Sequence, residues 1–221
     1  MFPFFWKKSE PSLPSLKGFT DWHCHMLPGV DDGVRTMDET LEILRQYEAE
    51  GVEEVWFTPH IMEDIPNSTE SLRARFDEVL NAYSGSVKLH LGSENMMDNL
   101  FEERLEAGDL LPIGEDGGYL LVETSYFNPP LGMKDTLKKI AKKGYVPVLA
   151  HPERYIYMSG KDYEELKAAG VKFQLNLLSF TGYYGKDVRD KVRWIEKQGM
   201  RDFFGTDLHG IRMLDRLRKI K

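Results

Sequence analysis

Gly18-Phe19-Thr20-Asp21-Trp22-His23-Cys24-His25-Met26-Leu27-Pro28-Gly29-Val30-Asp31-Asp32-Gly33 is the stretch on which the reading of the whole chain turns. Residues 18–23 predict a strand, and that strand empties into a histidine pair and then into Asp31-Asp32-Gly33. Residues two apart on a strand share a face, so His23 and His25 point one way and Cys24 the other. Two imidazoles on one face followed by a carboxylate suit a shared cation. The same pair also occurs on ordinary surface strands, so its meaning depends on how the other strands end.

Six further runs rich in Val, Leu, Phe and Tyr predict strands over 52–58, 87–92, 119–123, 146–150, 171–176 and 202–205. Between them lie amphipathic helical patterns. The first is announced by Thr36 with Glu39 three residues on, a capping box, and carries apolar Leu41, Ile43, Leu44 and Tyr47. Others run over 70–83, 98–107, 133–143, 161–169 and 186–198, and several stop at a glycine such as Gly51. Seven strands alternating with helices predict an α/β barrel of parallel strands. No internal repeat or interdomain linker interrupts the pattern, so residues 18–221 read as one domain behind an extension, 1–17.

Nearly every predicted strand finishes in a residue type that binds metals. The second reaches Pro59-His60, the third Ser93-Glu94 and the fourth Glu123; the fifth runs into His151-Pro152-Glu153-Arg154 and the last into Thr206-Asp207-Leu208-His209. In a parallel barrel these ends open on one face, where active sites of such folds are built. Of the 6 histidines only His90 falls outside the set. Each piece has a blander reading: His60 and His151 beside prolines as loop histidines, Glu94 and Glu123 as rim carboxylates. Against the latter, Glu123 directly follows Leu120-Leu121-Val122, where a charge calls for a compensating cation. Asp31 and Asp32 precede a glycine as turn residues do; Asp32 is read as the ligand and Asp31 as the turn.

Cys24 invites comparison with thiolate phosphatases, but the position six residues on is Val30 rather than arginine and Pro28 interrupts the loop, so Cys24 reads as a packing residue. A glycine loop ending in Gly-Lys-Ser/Thr is absent. Arg154, three residues after His151, is the candidate phosphate clamp, since a planar donor fork matches phosphate oxygens in pairs; a surface ion pair with Glu153 is its alternative. Arg212 is a second candidate. Tyr126, Phe127, Tyr183 and Tyr184 are candidates to line a ring pocket or to pack the rim.

With 41% hydrophobic and 29% charged residues the chain reads as globular, and a net charge of −7 offers no footprint for nucleic acid. The single cysteine gives no sign of an oxidising compartment. The opening run, with Phe2, Phe4, Phe5 and Trp6, is too short for a signal core or a membrane span, and the reading is cytoplasmic.

Residues 21–33, Thr58-Pro59-His60, Gly92-Ser93-Glu94, His151-Pro152-Glu153-Arg154 and Thr206-Asp207-Leu208-His209 together resemble the polymerase and histidinol phosphatase (PHP) superfamily, and within it the CpsB/CapC/YwqE-like bacterial protein tyrosine phosphatases. The resemblance implies a distorted (β/α)7 TIM-like barrel holding two or three divalent metal ions, manganese foremost, with iron, zinc, cobalt or magnesium also admissible. It implies that His23, His25 and Asp207 hold one metal and Glu94 bridges to a second, which also takes Glu123 and His151. Asp32, His60 and His209 would hold a third, and Arg154 would bind phosphate. The implied activity is hydrolysis of phosphotyrosine by a metal-activated hydroxide, on the tail of a bacterial tyrosine autokinase that controls capsule or exopolysaccharide synthesis. A histidinol-phosphate or other small-molecule phosphatase, and a non-catalytic phosphotyrosine- or kinase-binding module, are the alternatives. The chain departs from the pattern in its 1–17 extension and in a tail after His209 that leaves room for only a brief closing helix, which puts Arg212 in doubt.

Overall fold

The computed structural model describes residues 15–218, so the aromatic cluster of Phe2, Phe4, Phe5 and Trp6 lies outside the described residues. The strands are β1 (Thr20–Cys24), β2 (Glu54–Phe57), β3 (His60–Ile61), β4 (Lys88–Leu91), β5 (Glu94–Met96), β6 (Tyr119–Glu123), β7 (Val146–Ala150), β8 (Lys172–Asn176) and β9 (Phe203–Gly205). The helices are α1 (Met37–Glu50), α2 (Thr69–Ala82), α3 (Asn99–Ala107), α4 (Met133–Lys142), α5 (Gly160–Ala168), α6 (Lys186–Lys197) and α7 (Ile211–Arg218). Single 3-10 turns occupy Pro152–Arg154 and Leu177–Thr181. Strand and helix alternate nearly throughout, and the result is an α/β fold of parallel strands.

The strands form two ladders, β1-β2-β4 and β3-β5-β6-β7-β8-β9, in which every pairing is parallel. The second and third predicted strands correspond to β2 and β4, and each is followed by a short further strand, β3 and β5, a departure from the seven strands expected. Pro59 has no N–H to give to a ladder, and the chain steps there from β2 to β3. The step keeps its hydrogen bonds: Gly92 N donates to Phe57 O at 2.8 Å and Glu94 N to Pro59 O at 3.1 Å. At the other margin β9 adjoins β1, with Asp207 N on His23 O at 2.8 Å and His25 N on Leu208 O at 2.9 Å. That approach requires Gly205, where a Cβ would sit 2.6 Å from the His23 Cβ.

Alternation along the strands sorts the side chains. Val55, Phe57, Leu120, Val122, Leu149, Phe173 and Leu175 pack into the two large apolar clusters beneath the helices. The opposite face carries Trp22, Trp56, Tyr119, Leu121, Val148, Ala150 and Phe203, with Trp22 and Trp56 stacked 5.7 Å apart. Two residues beyond Leu121 on this same face comes Glu123, and two beyond Lys172 comes Gln174, so the apolar layer gives way to polar side chains at the strand ends.

Thr36 caps α1 as expected, its hydroxyl accepting from Glu39 N at 3.3 Å. The reciprocal arm of the capping box is not made. Glu39 Oε1 accepts instead from Ile211 N at 3.1 Å, which ties the start of α7 to α1. No described helix is long and apolar enough to cross a membrane.

Candidate metal centre

Parallel strands bring their carboxyl ends to one side, and the residues singled out in the sequence meet there. β1 delivers His23 and runs into His25; the loop after it brings Asp31 and Asp32. β3, β5 and β6 contribute His60, Glu94 and Glu123. His151 follows β7, and Asp207 and His209 follow β9. Four groups have ligand atoms within 4.8 Å of one another: His25-Asp32-His60-His209, His23-His25-Asp207, His23-Glu94-His151 and His60-Glu94-Glu123. All nine predicted ligands are in them. Their sharing differs from the expected partition, because His60 faces Glu94 and Glu123 as well as the Asp32 group.

The imidazole orientations decide what the groups can hold. His23 Nδ1 lies 2.7 Å from Gln174 Oε1, and His25 Nδ1 lies 2.9 Å from Asp31 Oδ2. Gln174 Oε1 also accepts from His151 N at 3.3 Å while its Nε2 donates to Asn176 Oδ1 at 2.9 Å, so the amide orientation is fixed from both ends. Each ring therefore donates through Nδ1, and both Nε2 lone pairs point inward, 3.0 Å apart. Two bare lone pairs at that distance repel. A cation accepting both relieves the repulsion, and Glu94 Oε2, 3.2 Å from each Nε2, is placed to share it.

Polar atoms left without hydrogen bonds tell the same story. Glu94 Oε2, Glu123 Oε1, His60 Nδ1 and His151 Nδ1 are buried and have no hydrogen-bond partner. Burial pushes the Glu94 carboxyl up, but the imidazoles of His23, His60 and His151 outweigh it and hold the group well below the usual carboxylate range. Asp207 is likewise held down by His25 and His23 against the effect of burial. Burial disfavours charge on His23, yet Glu94 and Asp207 overcome it and lift its pKa to about 9. At the rim, the hydrogen bond from His209 lowers Asp32 to about 2. Protons and divalent cations compete for such a set, and the donors, imidazole and carboxylate mixed, fit a divalent transition metal.

Two residues other than glycine adopt positive φ among those described, His151 at 32° and Asp207 at 51°. Both belong to the cluster. A left-handed backbone at such residues persists only where surroundings enforce it, and it turns both side chains into the site.

Arg154 stands at the edge of the cluster. Its Nη1 donates to Asp207 Oδ2 at 2.7 Å, and its guanidinium carbon lies 4.3 Å from the Tyr126 ring centre and 4.4 Å from that of Tyr184. The fork is held between two rings, with its remaining N–H groups free of any ion pair to Glu153. Glu153 itself is buried, accepting from Asn176 N and Ser179 Oγ at 2.9 and 2.7 Å.

A family model for capsular polysaccharide synthesis proteins, CpsB/CapC, matches residues 19–220. The chain belongs to the CpsB/CapC family. Relatives include the putative tyrosine-protein phosphatase CapC of Staphylococcus aureus, 27% identical over 86% of this chain and 77% of its own. Tyrosine-protein phosphatase YwqE of Bacillus subtilis is 26% identical over 87% of this chain and 78% of its own. A crystal structure from work on YwqE and on CpsB of Streptococcus pneumoniae, described as unique metal-dependent tyrosine phosphatases, superposes with a TM-score of 0.80 at 25% identity, covering 88% of this chain and 81% of that one.

Within this CpsB/CapC chain, several site residues were not legible as such. Asp31, read as a turn residue, does accept from Gly33 N at 3.0 Å, but its other oxygen orients His25 and accepts from His60 N at 3.0 Å. Gln174 and Asn176 were hidden inside a predicted strand; their alternation with Phe173 and Leu175 was the available signal. Asn176 Nδ2 donates to Asp207 Oδ2 at 2.8 Å. Arg212 is exposed on α7 and, among the described residues, makes no hydrogen bond or ion pair with the cluster. One turn further on, Arg216 lies 5.3 Å from the Tyr183 ring centre. Of the aromatic candidates, Tyr126 and Tyr184 clasp Arg154, whereas Phe127 is turned out, 67% exposed. Cys24 is fully buried, its Sγ against Trp56 O at 3.3 Å, away from the histidines.

Proposed function

We propose that this chain is a metal-dependent protein tyrosine phosphatase, acting in the cytoplasm on the phosphotyrosyl tail of a bacterial tyrosine autokinase that governs capsule or exopolysaccharide synthesis. The observation that carries the reading is the juxtaposition of two inward-facing Nε2 atoms and the buried Glu94 and Asp207 with Arg154 clamped between rings. The family's role in capsular polysaccharide synthesis and the curated relatives' phosphatase names support it. In this reading residues 18–221 form one catalytic domain, a distorted (β/α)7 barrel, behind the 1–17 extension. The joining of β9 to β1 supports closure.

Two or three divalent ions, manganese foremost, would be held by His23, His25, Asp32, His60, Glu94, Glu123, His151, Asp207 and His209, and would supply an activated water and charge neutralisation at the phosphoryl group. The protein's own groups do the rest. Gln174 and Asp31 fix the tautomers of His23 and His25, so the inward Nε2 of each offers a lone pair. Asp207 and the two tyrosine rings hold Arg154 so that its unused N–H donors meet phosphoryl oxygens in pairs, where charge grows as the bond to the leaving oxygen breaks. Burial keeps Tyr126 and Tyr184 neutral by pushing both phenols up. A phenolate leaving group, whose parent pKa is about 10, needs little protonation to depart. Aryl phosphates should therefore be cleaved faster than alkyl ones.

The test compares a phosphotyrosyl peptide, a phosphoseryl peptide and histidinol phosphate on protein stripped with chelator and reloaded with manganese, alongside elemental analysis. Metal-dependent turnover favouring phosphotyrosine is expected. Preference for histidinol phosphate would make it a small-molecule phosphatase, and binding of phosphotyrosine without turnover would make it a recognition module.

A further inference from the structure

A groove of about 400 Å³ opens between the segment leading into α4 and the start of α5, lined by Pro129, Gly132, Met133, Tyr157, Met158 and Leu166. Its character is apolar, with Lys134, Asp135 and Asp162 at the margin. Beside it stand large apolar side chains left in water: Phe127, Leu131, which is wholly exposed, and Ile156 at 64%. Clustered exposure of this kind costs solubility and marks a surface that is covered in use.

The groove is linked to the candidate metal centre through packed side chains. Tyr157 lines it, and the Tyr157 hydroxyl lies 2.6 Å from Thr124 Oγ1, one residue after Glu123. The Tyr157 ring stacks on Tyr155 at 5.6 Å; Tyr155 in turn lies 5.8 Å from the His151 ring and 6.1 Å from Tyr126, the residue against Arg154. Ile156 N donates to Tyr126 O at 2.9 Å, so the exposed loop and the arginine clasp are one piece of backbone architecture. A chain whose phosphotyrosine reaches Arg154 must leave the mouth somewhere, and on this side it meets unpartnered apolar surface.

We infer that the groove between α4 and α5, together with the exposed Leu131 and Ile156 next to its lining residues in the chain, is the docking site for the polypeptide flanking the phosphotyrosine, and that this surface takes an apolar side chain of that same substrate. The inference rests on the phosphatase reading and adds a specificity element to it. The lining includes neither Arg154 nor any residue of the metal cluster, so the groove contributes binding alone, in KM rather than kcat.

The test uses the full chain with L131S and I156S combined, two exposed positions outside the metal and arginine machinery. Two phosphotyrosyl peptides are compared, one with apolar flanks and one with those flanks replaced by serine, with p-nitrophenyl phosphate as the small aryl substrate. For the apolar peptide kcat/KM should fall about tenfold through KM, the scale of one aliphatic side chain losing its burial. Turnover of p-nitrophenyl phosphate should stay unchanged, and the serine-flanked peptide should be insensitive to the substitutions. Equal loss on both peptides, no loss on either, or a change of oligomeric state in the variant would overturn the docking site. Absence of turnover on every substrate in the parent protein would instead overturn the phosphatase reading.

Discussion

Gln174 holds His23 in place from 151 residues away in the sequence: its Oε1 lies 2.7 Å from His23 Nδ1. Because the same oxygen accepts from His151 N, a single amide sets both the tautomer of one cluster histidine and the strained backbone of another. Removing that acceptor frees His23 to protonate either nitrogen. Q174L should therefore lower metal affinity roughly 10- to 100-fold while the circular dichroism spectrum is retained. Titration of chelator-stripped protein by calorimetry measures this, and wild-type affinity in the variant would refute the tautomer argument.

Arg154 contributes geometry as well as charge. R154A should reduce kcat/KM for an aryl phosphate by about 10²- to 10³-fold, and R154K should recover little, because an ammonium neither forks nor lies flat between Tyr126 and Tyr184. Metal content should be unaltered in both. Substantial recovery by lysine would show that only the positive charge matters.

The ring pair around Arg154 could be anticipated as residues but not as an arrangement. Tyr126 and Tyr184 come from segments with no strand or helix period, so their approach to one guanidinium depends on the long-range packing of β6 and β8. The residues that meet at the strand ends were legible for the opposite reason. Strands such as 119–123 and 146–150 carry clear apolar runs, and their ends coincide with the observed β6 and β7. β3 and β5 escaped because two and three residues are too short to show alternation. The place of Arg212 depends on helical phase: on α7 it falls on the exposed side while Leu214 and Leu217 turn inward.

Stripping the metal should make stability depend on pH in a definite direction. His23 has a folded pKa raised to about 9, above an unfolded value of about 6.5. Its contribution is thus fully present below about pH 6.5 and lost as pH rises through about 9. Glu94 and Asp207 are depressed, so theirs is present above the unfolded carboxylate range and lost in acid. Metal-free protein should melt highest near pH 5–6 and lose stability steadily toward pH 9. Added manganese should raise Tm more at pH 9 than at pH 6, since cations then take over what protons did. Calorimetry with and without chelator decides it; a pH-independent Tm for the stripped protein would contradict the assignment.

Cys24 offers a clean separation from thiolate chemistry. Its sulfur is fully buried and burial pushes the thiol well up, so it is not a nucleophile at neutral pH. C24A should keep near-wild-type kcat on an aryl phosphate, and wild type should resist iodoacetamide while losing activity to chelator. Loss of kcat in a folded, metal-loaded C24A protein would reopen the thiolate route.

Gly205 tests whether the junction of β9 with β1 builds the site or merely borders it. A Cβ there would fall 2.6 Å from His23 Cβ and 2.7 Å from Gln174 Nε2, neither of them the free end of a flexible chain. G205A must push β9 from β1 or shift His23 off Gln174; overpacking of this kind costs about 1–3 kcal/mol. Both routes move His23 Nε2 relative to His25 Nε2. Metal affinity should accordingly fall together with Tm in G205A. An exposed control, L80A, should lower Tm slightly and leave metal affinity alone, because Leu80 lies on α2 at 44% exposure and α2 contributes no residue to the cluster. If G205A bound metal as tightly as wild type despite a lower Tm, the junction would be structural only, and the convergence of His23 with Asp207 would not depend on it.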